Sequence, residues 1–293
     1  MDAPPREEAA RIAHALRAEP VGWREITRRG QTNASHWLVD LPDDSTAFVK
    51  CARGDDTASW IRDEHLFYTH VRGMPFLPRM LGWHDDGERP VLALEDLSDA
   101  HWPPPWESGN VDAVLACLAE VAATTPPPEL PSVADSQFDF QGWIEIEDDP
   151  EPFLALRLCS REWLEAAIPI LRFATEIAQL DGDALLHFDV RSDNICIRDG
   201  RAMLVDWNFA CHGNAVADVA AWLPSLHAEG GPPPDEILRD GAAELAALLA
   251  GYFAAHAARH EIPEAPHVRT LQLRQARTAL PWAARALGLP PPG

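Results

Sequence analysis

Four polar side chains with metal- and proton-binding atoms lie in one short stretch of the sequence: His187, Asp189, Asn194 and Asp206. The first three belong to one polar loop, and Asp206 follows the apolar run 202–205. Carboxylate and amide oxygens are the ligands that Mg²⁺ prefers, and a carboxylate can also accept the proton of an attacking hydroxyl. The types and spacing are those of a phosphoryl-transfer site, with Asp189 serving the acceptor and Asn194 and Asp206 holding the metal ion.

A hairpin is predicted to bring the two metal-binding residues together. Segments 195–197 and 203–205 read as short strands, with Asn194 just before the first and Asp206 just after the second. His187 borders buried leucines and is expected to brace the loop by hydrogen bonds. Asp and Asn are also common turn formers, so the residue types alone do not establish a site.

Lys50 is the one lysine of the chain; every other basic residue among the 24 is arginine. It closes a predicted strand, 46–51, where a compact ammonium group has a use that arginine cannot fill. A helix predicted over 57–72 carries Glu64 among apolar residues on one face, and a carboxylate in that position needs a cationic partner. We therefore expect a Lys50–Glu64 ion pair. The alternatives are a lysine that persists by chance and a Glu64 that reaches solvent.

The first part of the chain predicts a small antiparallel sheet. The turn 28–35 between its first two strands offers backbone N–H groups and hydroxyls to phosphate oxygens, although its single glycine also suits an ordinary hairpin. Candidate phosphate-binding residues in this turn are Gly30, Thr32, Asn33 and Ser35. The predicted elements are a helix at 6–17 and strands at 23–27, 36–41, 46–51, 80–83 and 90–94.

The second part of the chain is predicted to be mostly helical. The strand pattern stops at 95–98, so the boundary is placed between residues 1–97, a nucleotide-binding lobe, and residues 98–293, a helical lobe with the catalytic loop. Segment 132–151 reads as an acidic, loop-like surface. Helices are predicted at 111–123, 161–166, 169–180, 216–223, 235–258 and 268–287.

Composition limits the classes of partner. The formal net charge of -22 argues against nucleic acid, because phosphate backbones bind basic surfaces. It favours a cationic small molecule, although a general acidic bias for solubility explains it equally well. The five cysteines form no CxxC pair. With neither a secretion signal nor an apolar span in the sequence, we expect a cytoplasmic protein without a membrane contact, and leave its oligomeric state open.

Two segments carry a resemblance to a known family. His187-Phe-Asp-Val-Arg-Ser-Asp-Asn194 and Val205-Asp-Trp207 resemble the catalytic and metal-binding motifs of the aminoglycoside phosphotransferase family. The resemblance covers 28–223. It implies a protein-kinase-like α+β fold with a small antiparallel sheet in the N-terminal lobe and a mostly helical C-terminal lobe, the use of ATP and Mg²⁺, and an acceptor site near Asp189. It also implies a hinge whose backbone pairs with adenine, formed by Leu94, Glu95, Asp96 and Leu97.

The chain departs from the family pattern at several positions. Phe188 stands where the family usually has glycine, which would narrow the approach to Asp189. Trp207 and Asn208 replace the Phe-Gly of protein kinases, no Ala-Pro-Glu segment follows, and Asp218 comes soon after. We therefore expect a small-molecule substrate rather than a protein, Trp207 in the core, and Asp218 securing the catalytic loop.

The residues predict an ATP-dependent O-phosphotransferase that acts on a hydroxyl of a small molecule. An aminoglycoside or another cationic amino sugar is one candidate acceptor, because the acidic stretch 135–151 could steer it. A solvated acidic surface is the more ordinary explanation of that stretch. The same family name covers kinases of sugars, choline-like alcohols and other metabolites, and a nucleotide-binding pseudokinase is the alternative from another class.

Overall fold

A computed structural model describes residues 3–26, 34–135, 140–239, 242–262 and 265–293. Its first part is a five-stranded antiparallel sheet in the order β1-β2-β3-β5-β4. One helix precedes the sheet and another follows its third strand. The elements are α1 (Arg6–Leu16), β1 (Gly22–Glu25), β2 (Ser35–Asp40), β3 (Thr46–Cys51), α2 (Asp55–His70), β4 (Met80–His84) and β5 (Val91–Glu95).

Strand β3 at the centre of the sheet separates a packed face from a functional face. Because side chains alternate along a strand, Ala47, Val49 and Cys51 share one side, where they pack in a core cluster with α1. Phe48 and Lys50 share the other side and line a large cavity. The alternation that buries α1 against the sheet therefore also directs the single lysine into the cavity.

The second part of the chain contains the remaining helices and two small antiparallel pairs, β6 with β9 and β7 with β8. Its elements, in chain order, are α3 (Asn110–Ala122), α4 (Gly142–Asp148), α5 (Glu151–Ala155), α6 (Arg161–Glu176), β6 (Ala184–Leu186), β7 (Ile195–Arg198), β8 (Arg201–Leu204), β9 (Cys211–Gly213), α7 (Val216–Ala228), α8 (Pro234–Ile237), α9 (Ala243–Ala258) and α10 (His267–Ala286). Short 3₁₀ turns at Ser192–Asn194 and Trp207–Phe209 flank the β7–β8 hairpin.

Helix α9 is the centre of the helical part. It is apolar on nearly every face, as expected for a helix surrounded by protein, and it packs against α4, α6 and α10. Small residues permit close approach: a Cβ added to Gly142 of α4 would lie 2.2 Å from the Gly251 carbonyl oxygen of α9. Within the described residues, no helix combines the length and apolarity that crossing a membrane requires.

Three predicted element boundaries are wrong. Segments 161–166 and 169–180 form one helix, α6, because Pro169 lies on its exposed face, where water can bind the carbonyl that loses its N–H partner. Segment 132–151 is not all loop, since α4 and the start of α5 lie in it. Segment 235–258 divides into α8 and α9. The predicted fold class, a small antiparallel sheet followed by a mostly helical part, is confirmed.

Candidate active site

The structure brings Lys50, Glu64 and Asp206 together between the sheet and the helical part. The Lys50 ammonium donates to both Glu64 carboxylate oxygens, at 2.9 and 2.7 Å, and to Asp206 Oδ1. Glu64 is 2% exposed on the face of α2 that the sequence pattern indicated. Burial opposes the charge on Lys50, but the carboxylates of Asp206 and Glu64 outweigh it and raise the pKa of Lys50. The lysine therefore stays protonated.

The pKa values of the two carboxyl groups beside Lys50 are shifted in opposite directions. Burial raises the pKa of Glu64 despite its cationic partner. Burial also acts on Asp206, yet Lys50 overcomes it and lowers the pKa of that carboxyl. Asp206 is 39% exposed, whereas Glu64 is sealed in. Asp206 is thus the ionised, accessible carboxylate of the cluster.

Asp189 lies in a loop held by two buried residues, His187 and Asp218. The N–H groups of His187 and Phe188 donate to the Asp218 carboxylate, each at 2.8 Å. His187 Nδ1 accepts from the Asp189 N–H at 3.2 Å, and His187 Nε2 lies 2.8 Å from the Val205 carbonyl oxygen, to which it donates. Burial lowers the pKa of His187 to about 4, so the ring is neutral. This is the geometry that the predicted bracing role requires.

The Asp189 carboxylate faces one amide and one guanidinium. Asn194 Nδ2 donates to Asp189 Oδ2 at 3.0 Å and to the Asp189 carbonyl at 2.9 Å. The Arg191 guanidinium meets both carboxylate oxygens: Nη2 donates to Oδ2 at 3.0 Å, and Nε lies 2.9 Å from Oδ1. Burial raises the pKa of Asp189 and Arg191 lowers it, with a net upward shift. The carboxylate is fixed in place and is a stronger proton acceptor than an ordinary aspartate.

The β7–β8 hairpin places Asn194 and Asp206 at the same end. Ile195 pairs with Leu204, and the Val205 N–H donates to the Asn194 carbonyl at 3.0 Å. Asn194 is 1% exposed, and since its amide nitrogen is committed to Asp189, its amide oxygen is the atom that remains for a cation. Asp206 adopts a left-handed backbone conformation, with φ of 66°, at the turn after β8.

The four residues of the predicted hinge line the same cavity. Leu94 is buried, and Glu95 accepts from Arg198 of β7 at 2.8 Å. Asp96 accepts from Thr46 at 2.8 Å, which ties the hinge to β3. The Leu97 carbonyl accepts from the Trp102 indole at 3.0 Å and from the Ala100 N–H at 3.1 Å.

The predicted phosphate-binding turn is only partly described. Gly30, Thr32 and Asn33 lie outside the described residues. Ser35 is in β2, 2% exposed, and its hydroxyl donates to Glu8 Oε1 of α1 at 2.9 Å. Its side chain is therefore committed to the packed face of the sheet, and the structure does not bring it to the cavity, whose wall here includes His36.

One cavity of about 1090 Å³ joins these groups. Lys50, Asp189, Asn194 and Asp206 line it, with the hinge on one side. On the other side its wall comes from the loop before α4, from α9 and from α10. Its volume is slightly above the usual range of ligand-binding pockets, about 300–1,000 Å³.

Sequence reasoning missed two parts of this site. Arg191 lies two positions after Asp189, a spacing that could have suggested a contact within the loop. The wall formed by α9 and α10 gave no signal beyond helical periodicity.

Trp207, expected in the core, is 1% exposed and stacks on Phe67 with ring centroids 4.3 Å apart.

Solved structures share this fold at low sequence identity. An aminoglycoside phosphotransferase from Alicyclobacillus acidocaldarius is 14% identical, with a TM-score of 0.60 over 98% of this chain and 96% of the other. A choline/ethanolamine kinase family protein from Mesorhizobium loti is 12% identical, with a TM-score of 0.56 over 91% of each chain. The amicoumacin kinase hAmiN, in complex with AMP-PNP, Ca²⁺ and Ami, is 12% identical, with a TM-score of 0.53 over 98% and 92%.

Sequence comparison identifies the family. No curated protein matches the chain. The profile of the phosphotransferase enzyme family, APH, matches residues 25–262, which include the Lys50–Glu64 pair, the loop 187–194 and the β7–β8 hairpin. Because this match spans most of the sequence, the chain belongs to the phosphotransferase enzyme family.

Proposed function

We propose that this phosphotransferase transfers the γ-phosphate of ATP to a hydroxyl group of a small molecule. The observation that carries the proposal is the single cavity in which Lys50, Asp206 and Asn194 lie beside Asp189. A phosphoryl transfer needs a cation for the phosphates, oxygen ligands for a metal ion and a carboxylate for the acceptor hydroxyl. All of them meet within one space that also reaches the hinge.

We place ATP between the sheet and the hinge, with residues 1–97 as the nucleotide-binding lobe and 98–293 as the helical lobe. Leu38 and Phe48 of the sheet and Leu94 of the hinge supply apolar surface for a base. The Leu97 carbonyl is already bonded to Trp102 and Ala100, so the Leu97 N–H is the hinge group that we assign to adenine. Use of a nucleotide is in keeping with the AMP-PNP bound by the amicoumacin kinase of the same fold.

Asn194 and Asp206 fit a magnesium ion. Mg²⁺ in phosphotransferases takes one or two protein carboxylates or amides, and water and phosphate oxygens complete its shell. The Asn194 amide oxygen and the ionised Asp206 carboxylate are such a pair on one end of the hairpin. Bound there, Mg²⁺ would neutralise charge on the phosphates. In the described structure Lys50 contacts Asp206, and a nucleotide phosphate would compete for the same ammonium.

Asp189 is the group that we assign to the acceptor. The acceptor oxygen attacks the γ-phosphorus and forms the new P–O bond, the bond to the β-phosphate oxygen breaks, and ADP leaves with that electron pair. The hydroxyl proton passes to the Asp189 carboxylate. The raised pKa suits a proton acceptor, while Arg191 and Asn194 fix its direction. Lys50 stays charged and offsets negative charge on the phosphates.

The test is Asp189→Asn with Asp199→Asn as its matched control. Asp199 is an exposed carboxylate in the β7–β8 turn with φ of 52°, a conformation that asparagine also adopts readily. Losing a positioned proton acceptor should lower turnover roughly 10²–10⁴-fold. Phosphorylated product is measured by mass across a panel of hydroxylated acceptors with MgATP. Normal turnover by Asp189→Asn, or an equal loss in both variants, would contradict the assignment.

A further inference from the structure

The wall of the cavity that faces away from the hinge is apolar. We call it the acceptor chamber and define it by Phe140, Phe188, Leu249, Tyr252, Val268 and Leu271, all of which line the cavity. Leu249 and Tyr252 are three residues apart on α9, and Val268 and Leu271 are three apart on α10. Each pair therefore presents one face of its helix to the same space.

Three aromatic rings form one side of the acceptor chamber. The Phe140 and Phe188 rings are in edge contact, with centroids 6.1 Å apart, and Phe140 and Tyr252 are 5.9 Å apart. Phe188 belongs to the catalytic loop, directly before Asp189. The apolar surface therefore begins beside the carboxylate that serves the acceptor, and a flat apolar body can pack against it.

The described residues of α9 and α10 contribute no carboxylate to the cavity wall, whereas Asp189 and Asp193 of the loop do line the cavity. Across residues 3–26, 34–135, 140–239, 242–262 and 265–293, no Asp or Glu of α9, α10 or the segment between them lines the cavity. The polar lining residues of α10 are two neutral amides, Gln272 and Gln275. Both are engaged: Gln272 Oε1 accepts from Arg269 at 2.8 Å, and Gln275 Nε2 donates to Ser225 at 2.9 Å.

Charges of both signs lie near the chamber: Asp189, Asp193 and Arg191 line the cavity, and Arg259 and Arg269 act on Tyr252 of the chamber wall. Burial raises the pKa of Tyr252 to about 12 and Asp189 acts in the same direction, whereas Arg259, Arg269 and Arg191 oppose the shift. Arg259 has an ion pair with Glu145. Arg269 contacts no carboxylate within the described part of the chain, and burial together with Arg259 lowers its pKa. Ammonium groups placed against the faces of α9 and α10 would lose water without gaining a carboxylate partner from the described residues of either helix, which is strongly unfavourable.

The acidic stretch 135–151 contributes Phe140 to this wall but, among its described residues, no carboxylate. Glu145, Glu147 and Glu151 lie on α4 and α5, and each forms an ion pair with an arginine, Arg259, Arg172 and Arg161 respectively. These carboxylates are neutralised by the protein itself.

We infer that the acceptor is an uncharged alcohol with a bulky aromatic or aliphatic body, rather than an aminoglycoside or other polycation. The inference rests on the proposed phosphotransfer function, since it places the acceptor hydroxyl at Asp189 and the apolar body against Phe140, Phe188 and the faces of α9 and α10. It names the chemical class that the acceptor chamber selects.

The test compares binding of a neutral aromatic alcohol with that of a polycation. The probes are 2-naphthaleneethanol, followed by its fluorescence, and kanamycin, followed by calorimetry, both without nucleotide. Val268→Glu puts a carboxylate into the chamber, and Val268→Gln adds the same bulk without charge. Thr270→Glu is the control: an exposed residue in the same first helical turn, where an added carboxylate suits the helix dipole.

Wild type and Thr270→Glu should bind 2-naphthaleneethanol alike and kanamycin not measurably. Val268→Glu should weaken naphthyl binding roughly tenfold or more, and more than Val268→Gln does, because burying a charge beside an apolar ligand is unfavourable. Thermal melting of every variant shows that it is folded. Tighter binding of kanamycin than of the naphthyl alcohol, no naphthyl binding by wild type, or equal effects of Val268→Glu and Thr270→Glu would overturn the inference.

The outcomes separate this inference from the proposed function. Phosphorylation of kanamycin with MgATP would leave the phosphotransfer function standing and overturn the acceptor class. Naphthyl binding that Val268→Glu abolishes, together with no phosphate transfer to any alcohol, would overturn the function and support the chamber assignment.

Discussion

Phe188 combines a buried side chain with a backbone conformation that favours glycine. Its φ is 61°, and it is 8% exposed in a cluster with Leu186, Val133 and Cys211. The conformation is kept because the Phe188 N–H donates to Asp218 and the ring fills the cluster. Truncating the side chain therefore has two opposed effects, loss of packing and relief of backbone strain, and their sizes can be separated.

The comparison is between Phe188→Ala and Phe188→Gly. Both variants lose the packing of the phenyl ring, which lowers the free energy of unfolding by about 3–5 kcal/mol. Alanine keeps a left-handed strain of roughly 1–2 kcal/mol, which glycine does not have. The glycine variant loses about 0.4–1 kcal/mol of stability relative to alanine, because its unfolded chain has more conformational freedom. The difference leaves Phe188→Gly more stable than Phe188→Ala by about 1 kcal/mol.

The matched control is Leu186, which is fully buried in the same cluster but lies in β6 with ordinary extended backbone. There glycine should be less stable than alanine, by about 0.5–1 kcal/mol. Thermal unfolding of the four variants measures both differences, and about 1 kcal/mol corresponds to roughly 2 °C in a chain of this size. The expected result is a reversal of sign between the two positions. Alanine equal to or better than glycine at position 188 would refute the reasoning.

Two further predictions concern the charged groups of the site. Asp206→Asn keeps the shape of the side chain and tolerates the positive φ at this position, but it removes the charge that we assign to the metal ion. Nucleotide affinity measured by calorimetry should therefore fall roughly tenfold with Mg²⁺ and change little without it. Equal losses of affinity in both conditions would contradict a metal role. Burial raises the pKa of Asp218 from 3.8 to about 6. Because the folded value is the higher one, the stability linked to this group is fully present below about pH 3.8 and is lost as pH rises through about 6. The melting temperature of Asp218→Asn relative to wild type should therefore move in favour of the variant between pH 4 and pH 6.5, and a constant difference would count against a buried, titrating Asp218.

A helix or strand was predictable from the sequence where its own residues show a clear hydrophobic periodicity. The strands of the N-terminal sheet and helices α2 and α10 fall within a few residues of the predicted positions. The pair β6–β9 was not predicted, because three-residue strands carry no pattern and their partners are far apart in sequence. The sequence predicts two helices where α6 is continuous, because a sequence does not show that Pro169 lies on an exposed face of that helix.

The contacts of the site were likewise predictable in part. The Lys50–Glu64 contact followed from one lysine and one carboxylate on an apolar helix face, and the meeting of Asn194 with Asp206 followed from a hairpin. The contact of Arg191 with Asp189 depends on how the loop turns, which spacing alone does not fix. Ser35 shows the opposite error: its type suited phosphate, but the strand phase directs it to Glu8.

The acceptor chamber could not be predicted from the sequence, for a physical reason. Charged groups that carry chemistry are conspicuous in a sequence, because a buried charge needs a partner and few residue types can supply one. An apolar chamber uses the same Leu, Val and Phe that fill a core, so Leu249 and Val268 look like packing residues until the cavity beside them is seen. The consequence is that acceptor choice can change by substitutions on α9 and α10 without altering Asp189, Asn194 or Asp206. Under the proposed function, motifs in the loop 187–194 therefore identify the reaction, whereas the faces of these two helices select the alcohol that reaches Asp189.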